Sequence, residues 1–89
     1  MASKAYTGIT PAIWACIQAT SQKEHGTTYD PPNGDSGTAT TKTSVGTVTM
    51  SYVLADETLT YTIEHKPGIV TDGEIWGGID KTVNGCKNS

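Results

Sequence analysis

Two neighbouring stretches of the chain alternate between apolar and mostly hydroxyl-bearing residues, and this alternation constrains the fold more than any other feature. In Thr47–Leu54 the apolar set recurs at every second residue, and Thr58–His65 repeats the pattern after the polar turn Ala55–Glu57. Successive side chains of a β-strand point to opposite faces, so a period of two predicts strands with one apolar face and one hydroxyl-rich face. The two stretches are predicted to form an antiparallel hairpin.

A third strand is predicted just before the hairpin. Thr38–Val45 is rich in threonine and ends at Gly46, although its apolar periodicity is weak. The preceding stretch, Tyr29–Gly37, contains consecutive prolines and an Asn-Gly pair, which exclude helix and favour turns. We therefore expect a loop over Gly26–Gly37 and then a three-stranded antiparallel meander.

A helix is predicted near the start of the chain. Thr10 followed by Pro11 is typical of an N-cap and a first helical residue, because the threonine oxygen accepts an amide hydrogen bond and proline has no amide proton there. Apolar residues then recur at helical spacing until Gly26 supplies a left-handed C-terminal stop. The helix is expected over residues 11–25.

A second helix is predicted near the end of the chain. Thr71 and Glu74 have the spacing of a capping box, which predicts a helix over residues 72–84 that ends at Gly85. Gly77 and Gly78 fall inside it, and each costs about 1 kcal/mol relative to alanine in a helix interior. Their presence predicts close approach by another backbone or side chain.

These elements predict one α+β domain over residues 1–89, with an N-terminal helix, a three-stranded β-meander and a C-terminal helix. Each helix has one apolar face and the sheet offers one apolar face, so both helices are expected on the same side of the sheet. Trp14 and Trp76 flank the two helical stripes. They are expected to pack in the core, and the alternative is a shared apolar groove for a ligand or a second subunit.

Charge and composition exclude several classes of partner. The net charge is −3, with six lysines and no arginine. This balance disfavours nucleic acid, and the chain has no basic amphipathic helix for an anionic membrane. No apolar run approaches the roughly 20 residues that span a bilayer, and no cofactor fingerprint is present.

The two cysteines, Cys16 and Cys86, both fall on apolar helical stripes. A single disulfide between them would staple the helices, as small domains often require. That reading favours an extracellular setting. Two buried free thiols in a cytosolic protein are the alternative.

The histidines are candidates for chemistry. His25 and His65 each follow a glutamate, so with Glu24, Glu64 or Asp30 they could form a metal site or an acid-base pair. No short metal-binding spacing occurs, however, and a mid-helix cysteine on an apolar stripe is a poor nucleophile. His65 lies in the buried register of its strand. We therefore predict no catalytic residue and no metal site, and we favour a non-enzymatic module over an enzyme.

The leading hypothesis is a module that binds a protein or a carbohydrate through the predicted loop and the hydroxyl-rich face. Its candidate contact residues are Tyr29, Asp30, Asn33, Asp35, Thr47, Thr49, Thr58, Thr60 and Thr62. The alternatives are a small hydrolase or metal-dependent enzyme using His25 and His65, and an inhibitor or toxin-like effector that inserts its loop into a target. A homodimer through a sheet edge or through the tryptophan-bearing helices is also open.

Overall fold

The computed structural model describes residues 2–31 and 34–88 and has an α+β architecture. Its elements, in chain order, are β1 (Ser3–Tyr6), α1 (Pro11–His25), β2 (Thr28–Asp30), β3 (Ser36–Thr43), β4 (Gly46–Ala55), β5 (Thr58–His65) and α2 (Asp72–Lys87). The predicted class and the order of the main elements are confirmed.

The sheet has five strands in the order β1-β5-β4-β3-β2, and all neighbours are antiparallel. The predicted meander forms its centre, but the prediction of three strands is wrong because a short strand pairs along each edge. The edge strands β1 and β2 have only four and three residues, too few to show a period of two. The third predicted strand is shifted, since β3 covers Ser36–Thr43 rather than Thr38–Val45.

Both helices pack against one face of the sheet. The core combines Trp14 and Ile17 of α1 with Val83 and Cys86 of α2. The sheet contributes alternate residues that all point to this side, namely Tyr29, Ala39, Val48, Met50, Tyr52, Leu59, Tyr61 and Ile63. The other face of the sheet is therefore left without a helical layer among the described residues.

The predicted N-terminal caps are present in both helices, and so is the predicted glycine at the end of α1. Thr10 caps α1 by accepting a hydrogen bond from the Ile13 amide, 3.3 Å, and Gly26 ends this helix in the left-handed conformation with φ 66°. At the start of α2, Thr71 and Glu74 form the predicted capping box. Helix α1 therefore has the predicted bounds and α2 begins where expected.

The expectations for the glycines of α2 are wrong. The helix continues through Gly85 to Lys87, so its end lies three residues beyond the predicted bound of 84. Cys86 is buried in the core, and this anchor holds the last turn in helical conformation. A side-chain carbon built on Gly77 or Gly78 meets no heavy atom within 4 Å, so nothing in the described chain packs closely against them.

Cys16 and Cys86 lie at disulfide distance and link the two helices. Their sulfurs are 2.14 Å apart and their Cα atoms 5.8 Å apart. The predicted pairing of these cysteines is confirmed at the level of geometry. Neither helix in residues 2–31 and 34–88 is long and apolar enough to cross a membrane.

Candidate functional site

The uncovered side of the sheet carries rows of hydroxyl groups that cross several strands. We call this surface the hydroxyl face; its members are Ser3, Thr28, Ser36, Thr38, Thr40, Thr47, Thr49, Ser51, Thr58, Thr60 and Thr62. One row runs from Ser3 on β1 through Thr62, Ser51 and Thr38 to Asp30 on β2. The strand pairing therefore brings the predicted strand residues onto one continuous surface.

The hydroxyl face carries mainly hydroxyl and methyl groups at its centre. Val53, 51% exposed, lies between Thr60 and Ser36 in one row, and the hydroxyls of Thr49 and Thr60 make no hydrogen bond within the described residues. Asp30 and Lys42 lie toward the margins, whereas the Glu64 carboxylate reaches the middle, where it accepts a 2.9 Å hydrogen bond from Ser51. The surface thus offers a hydroxyl and methyl array with one carboxylate bound at its central strand.

The predicted loop residues are separated by the structure. Asp30 is exposed on β2 and joins the edge of the hydroxyl face, whereas Asp35 is exposed just before β3, where its carbonyl accepts a 2.6 Å hydrogen bond from the Leu54 amide. Tyr29 is only 7% exposed and packs in the core, so it cannot meet a partner on that face. Asn33 lies outside the described residues.

Much of the predicted loop is not a loop. Thr28–Asp30 pairs with β3 as a strand, and its alternation puts Tyr29 in the core while Thr28 and Asp30 face outward. The remaining connection to β3 is short. Residues that we predicted to act together from one long loop therefore lie on two different sides of the sheet.

His65 is exposed, so the prediction that it lies on the apolar face is wrong. Met50 pairs with Ile63, but the next residue of β4, Thr49, pairs with His65, which leaves Glu64 as an extra residue. Such a β-bulge reverses the faces of the residues that follow it. His65 consequently lies beside Thr49, while Glu64 accepts a 2.9 Å hydrogen bond from Ser51.

The two histidines do not come together in one cavity. His25, at the end of α1, lines a cleft between the helices and the sheet, while His65 lines a separate cavity with Lys66 and Asp72. No group of three or more histidine, cysteine or acidic side chains is suitably placed for a metal ion in residues 2–31 and 34–88. The structure therefore gives no geometric support to a site that uses both histidines.

The tryptophans have different environments. Trp14 is buried and contacts Tyr29 edge-on, with ring centroids 5.7 Å apart, and Tyr52 at 5.2 Å. Trp76 is only partly buried at the margin of the core. Neither ring lines the cleft between the helices and the sheet.

A small polar cluster joins the first strand to the second helix. The Asp80 carboxylate accepts a 2.6 Å hydrogen bond from the Tyr6 hydroxyl and is contacted by the Lys4 ammonium at 2.9 and 3.0 Å. The Tyr6 hydrogen bond, followed by Lys4, lowers the pKa of Asp80, whereas burial and Asp80 raise the pKa of Tyr6. Asp80 therefore stays ionised and Tyr6 stays protonated near neutral pH, and the three contacts indicate a structural clamp.

The helix–sheet cleft is an opening of about 340 Å³ between the end of α1, the start of α2 and the apolar face of the sheet. Its wall includes Ile17 and Ser21 of α1, Ile75 and Gly78 of α2, and Met50 of β4. Sequence reasoning missed this cleft, and the open side of Gly78 is the only local signal that points to it.

Comparison with known proteins gives no relative. No protein-family model matches the chain, and no similar curated protein or solved structure was found.

Proposed function

We propose that this protein is a non-enzymatic binding module that recognises a protein partner through the hydroxyl face. The observation that carries the proposal is the pattern of this surface: an uncovered array of hydroxyl and methyl groups around the exposed Val53, in which Glu64 is the carboxylate that reaches the middle. A surface with few charged groups at its centre is typical of protein interfaces. Asp30 and the five strand threonines named from the sequence all belong to this surface or its edge.

The size of the surface favours a transient complex. Strands spaced about 4.8 Å apart and rising about 3.3 Å per residue give the hydroxyl face an area of roughly 500 Å². A standard stable interface covers about 800 Å² on each partner, and weak encounters use less. The expected complex is therefore one that forms and dissociates readily, with Val53 as its apolar centre.

A protein partner fits this surface better than a carbohydrate. Sugar rings are commonly held by stacking on exposed aromatic side chains, but Tyr6, Tyr29, Tyr52 and Tyr61 all belong to the core side of the sheet. Hydroxyl groups alone exchange hydrogen bonds with sugar at little net gain over water. Carbohydrate binding is retained as an outcome of the test below.

We also propose that the module works in an oxidising compartment. The Cys16–Cys86 pair closes the helices over a separation of 70 residues, and disulfides persist in secreted and other oxidising settings. A small domain gains most from such a staple when cellular reductants do not reach it. Alkylation of the natively expressed protein with and without reductant tests this proposal, since a reduced pair would contradict it.

The test of the binding face compares two double variants with the same change in charge. Thr49→Lys with Thr60→Lys puts two charges at the centre of the hydroxyl face, whereas Ala15→Lys with Ala19→Lys puts them on exposed positions of α1. Each immobilised protein is exposed to an extract of the cells that produce it, and bound proteins are identified by mass spectrometry. We expect a partner bound by the wild type and by the helix variant and lost from the face variant.

Two results would refute recognition of a protein through this face. One is capture of the same proteins by all three forms. The other is selective binding to a glycan array that only the face variant loses, because that outcome would replace the protein partner with a carbohydrate. Circular dichroism of both variants checks that the lysines leave the fold intact.

A further inference from the structure

The helix–sheet cleft is a second concave surface, on the opposite side of the sheet from the hydroxyl face. It opens between α1 and α2, and its floor is the apolar side of β3 and β4. Its volume of about 340 Å³ falls at the lower end of the roughly 300–1,000 Å³ typical of ligand pockets. It is about twice the roughly 150 Å³ of an apolar cavity that holds benzene.

The buried polar groups in the wall of the cleft already have hydrogen-bond partners. The hydroxyls of Thr27 and Thr41 bond to each other at 2.7 Å, and Thr82 donates a 3.1 Å hydrogen bond to the Gly78 carbonyl. No buried side-chain nitrogen or oxygen in the described part of the chain lacks a partner. A ligand therefore needs no polar group in the depth of the cleft, where it would meet mainly aliphatic side chains.

Gly78 keeps the cleft open on the side of α2. It lies three residues after Ile75 and four before Thr82, so all three belong to one helical stripe, and all three line the cleft. A side-chain carbon on Gly78 would meet no heavy atom within 4 Å, so packing within the chain does not require glycine here. The predicted approach by another backbone or side chain does not occur here among the described residues, and the open side of Gly78 leaves room for a ligand.

The rim of the cleft sets the charge of what can enter. Val45, 48% exposed, lines the opening, and Ile69, 73% exposed, precedes the lining residue Val70. Glu74 is the acidic residue in the wall, and its carboxylate stays at the rim because it caps α2. An anionic ligand would meet this carboxylate and the net charge of −3.

We propose that the helix–sheet cleft binds an uncharged, largely apolar small molecule of about two rings, with any polar end turned toward the rim. The aliphatic wall would hold the body of the ligand. A hydroxyl at its polar end would stay in water near His25. This site is independent of the hydroxyl face, so either proposal can fail alone.

The experiment uses N-phenyl-1-naphthylamine, an uncharged two-ring fluorescent probe, with the full chain. Gly78→Leu adds bulk to the cleft from α2 at a position where an added Cβ meets no neighbour within 4 Å in the described chain, and Gly77→Leu is the matched control, because Gly77 is equally open but does not line the cleft. Ser21→Leu blocks the cleft from α1 and serves as a second, independent variant. Circular dichroism and thermal unfolding check the fold of each variant.

The wild type and Gly77→Leu are expected to bind one probe molecule per chain with similar affinity. Gly78→Leu and Ser21→Leu are expected to lose affinity by about tenfold or more. In methyl NMR spectra of the wild type, the probe should shift the side-chain methyl signals of Val48, Met50 and Ile79 and leave those of Thr49 and Thr60 unchanged.

Five results would overturn the proposal. Four are the absence of saturable binding to the wild type, equal binding by Gly78→Leu and Gly77→Leu, shifts located on the hydroxyl face, and equally tight binding of the anionic probe 1-anilinonaphthalene-8-sulfonate. A fifth is a concentration-dependent dimer of the wild type that Gly78→Leu dissociates, since a second copy would then be the occupant. If Gly78→Leu does not fold, Ser21→Leu and the NMR shifts decide the question.

Discussion

The hydroxyl of Tyr6 donates a 2.6 Å hydrogen bond to Asp80, which ties the first strand at the sheet edge to the middle of α2. Lys4 approaches the same carboxylate from the same strand. Strand β1 has only four residues, so its ladder with β5 is short, and this cluster adds a side-chain connection to the backbone pairing. The edge of the sheet is therefore held from the helix layer as well as from its neighbouring strand.

Replacing Tyr6 with phenylalanine is expected to destabilise the protein by about 1 kcal/mol, because one hydrogen bond to a partly exposed carboxylate is lost. The pKa of Asp80 should rise toward its usual value, since the Tyr6 hydrogen bond is the largest single cause of the lowering. Urea unfolding at pH 7 measures the loss of stability. An NMR titration that follows the side-chain carboxyl carbon of Asp80 measures its pKa.

The cluster of Tyr6, Lys4 and Asp80 also predicts how the stability of the fold changes in acid. A lowered pKa means that the folded state binds the Asp80 proton less tightly than the unfolded state, so the contribution is present above the usual aspartate pKa of 3.8 and is lost as pH falls through the lower folded value. Tyr6→Phe should make the loss of stability below pH 4 shallower. An unchanged Asp80 titration in this variant would show that the hydrogen bond does not cause the shift.

Alkaline pH is expected to destabilise the protein through the buried Tyr61. Burial is the main cause that raises the pKa of Tyr61 well above its usual value, so the folded state keeps the phenol protonated after the unfolded state ionises. The stabilising contribution is present below pH 10 and decreases above it by about 1.4 kcal/mol per pH unit. Urea unfolding of wild type and Tyr61→Phe between pH 8 and 11 measures this slope, and equal slopes would contradict the assignment.

The elements that could be predicted correctly are those marked by residues within them or next to their ends. Helix α1 has the predicted bounds because Thr10, Pro11 and Gly26 are all adjacent to its ends. The edge strands could not be found in this way, because β1 pairs with residues more than fifty positions away and β2 shows only one buried side chain, Tyr29. Their strand character comes from pairing partners rather than from their own sequence.

Part of the hydroxyl face could be predicted from the sequence, whereas the helix–sheet cleft could not. The threonines of β4 and β5 could be placed on one face from their period of two, but the bulge at Glu64 changes the face of His65, and no residue type announces it. The helix–sheet cleft depends on the spacing between two helices and a sheet, which a linear pattern does not contain. Gly78 was a visible anomaly in the sequence, but its open side became clear only in three dimensions.

Reduction of the Cys16–Cys86 pair is expected to lower the free energy of unfolding substantially. A bridge across a separation of 70 residues contributes about 4 kcal/mol in the chain-entropy model. Domains of this size have only about 5–10 kcal/mol in total, so the reduced protein should be close to unfolding at 37 °C. Urea midpoints with and without a phosphine reductant measure the loss.

The double variant Cys16→Ala with Cys86→Ala is the control for reduction. It should resemble the reduced wild type and show no further response to the reductant. A wild-type midpoint that the reductant leaves unchanged would mean that the two cysteines are not bridged in solution, and it would remove the support for an oxidising compartment.

The two tryptophans are expected to differ in their contribution to stability although they stand in similar sequence contexts. Trp14 is 6% exposed and contacts both Tyr29 and Tyr52, so Trp14→Ala should cost about 3–5 kcal/mol. Trp76 is partly buried at the core margin, so Trp76→Ala should cost about 1–2 kcal/mol. Urea unfolding followed by far-ultraviolet circular dichroism compares the two without relying on tryptophan fluorescence, and equal losses would show that the aromatic contacts of Trp14 add nothing to its burial.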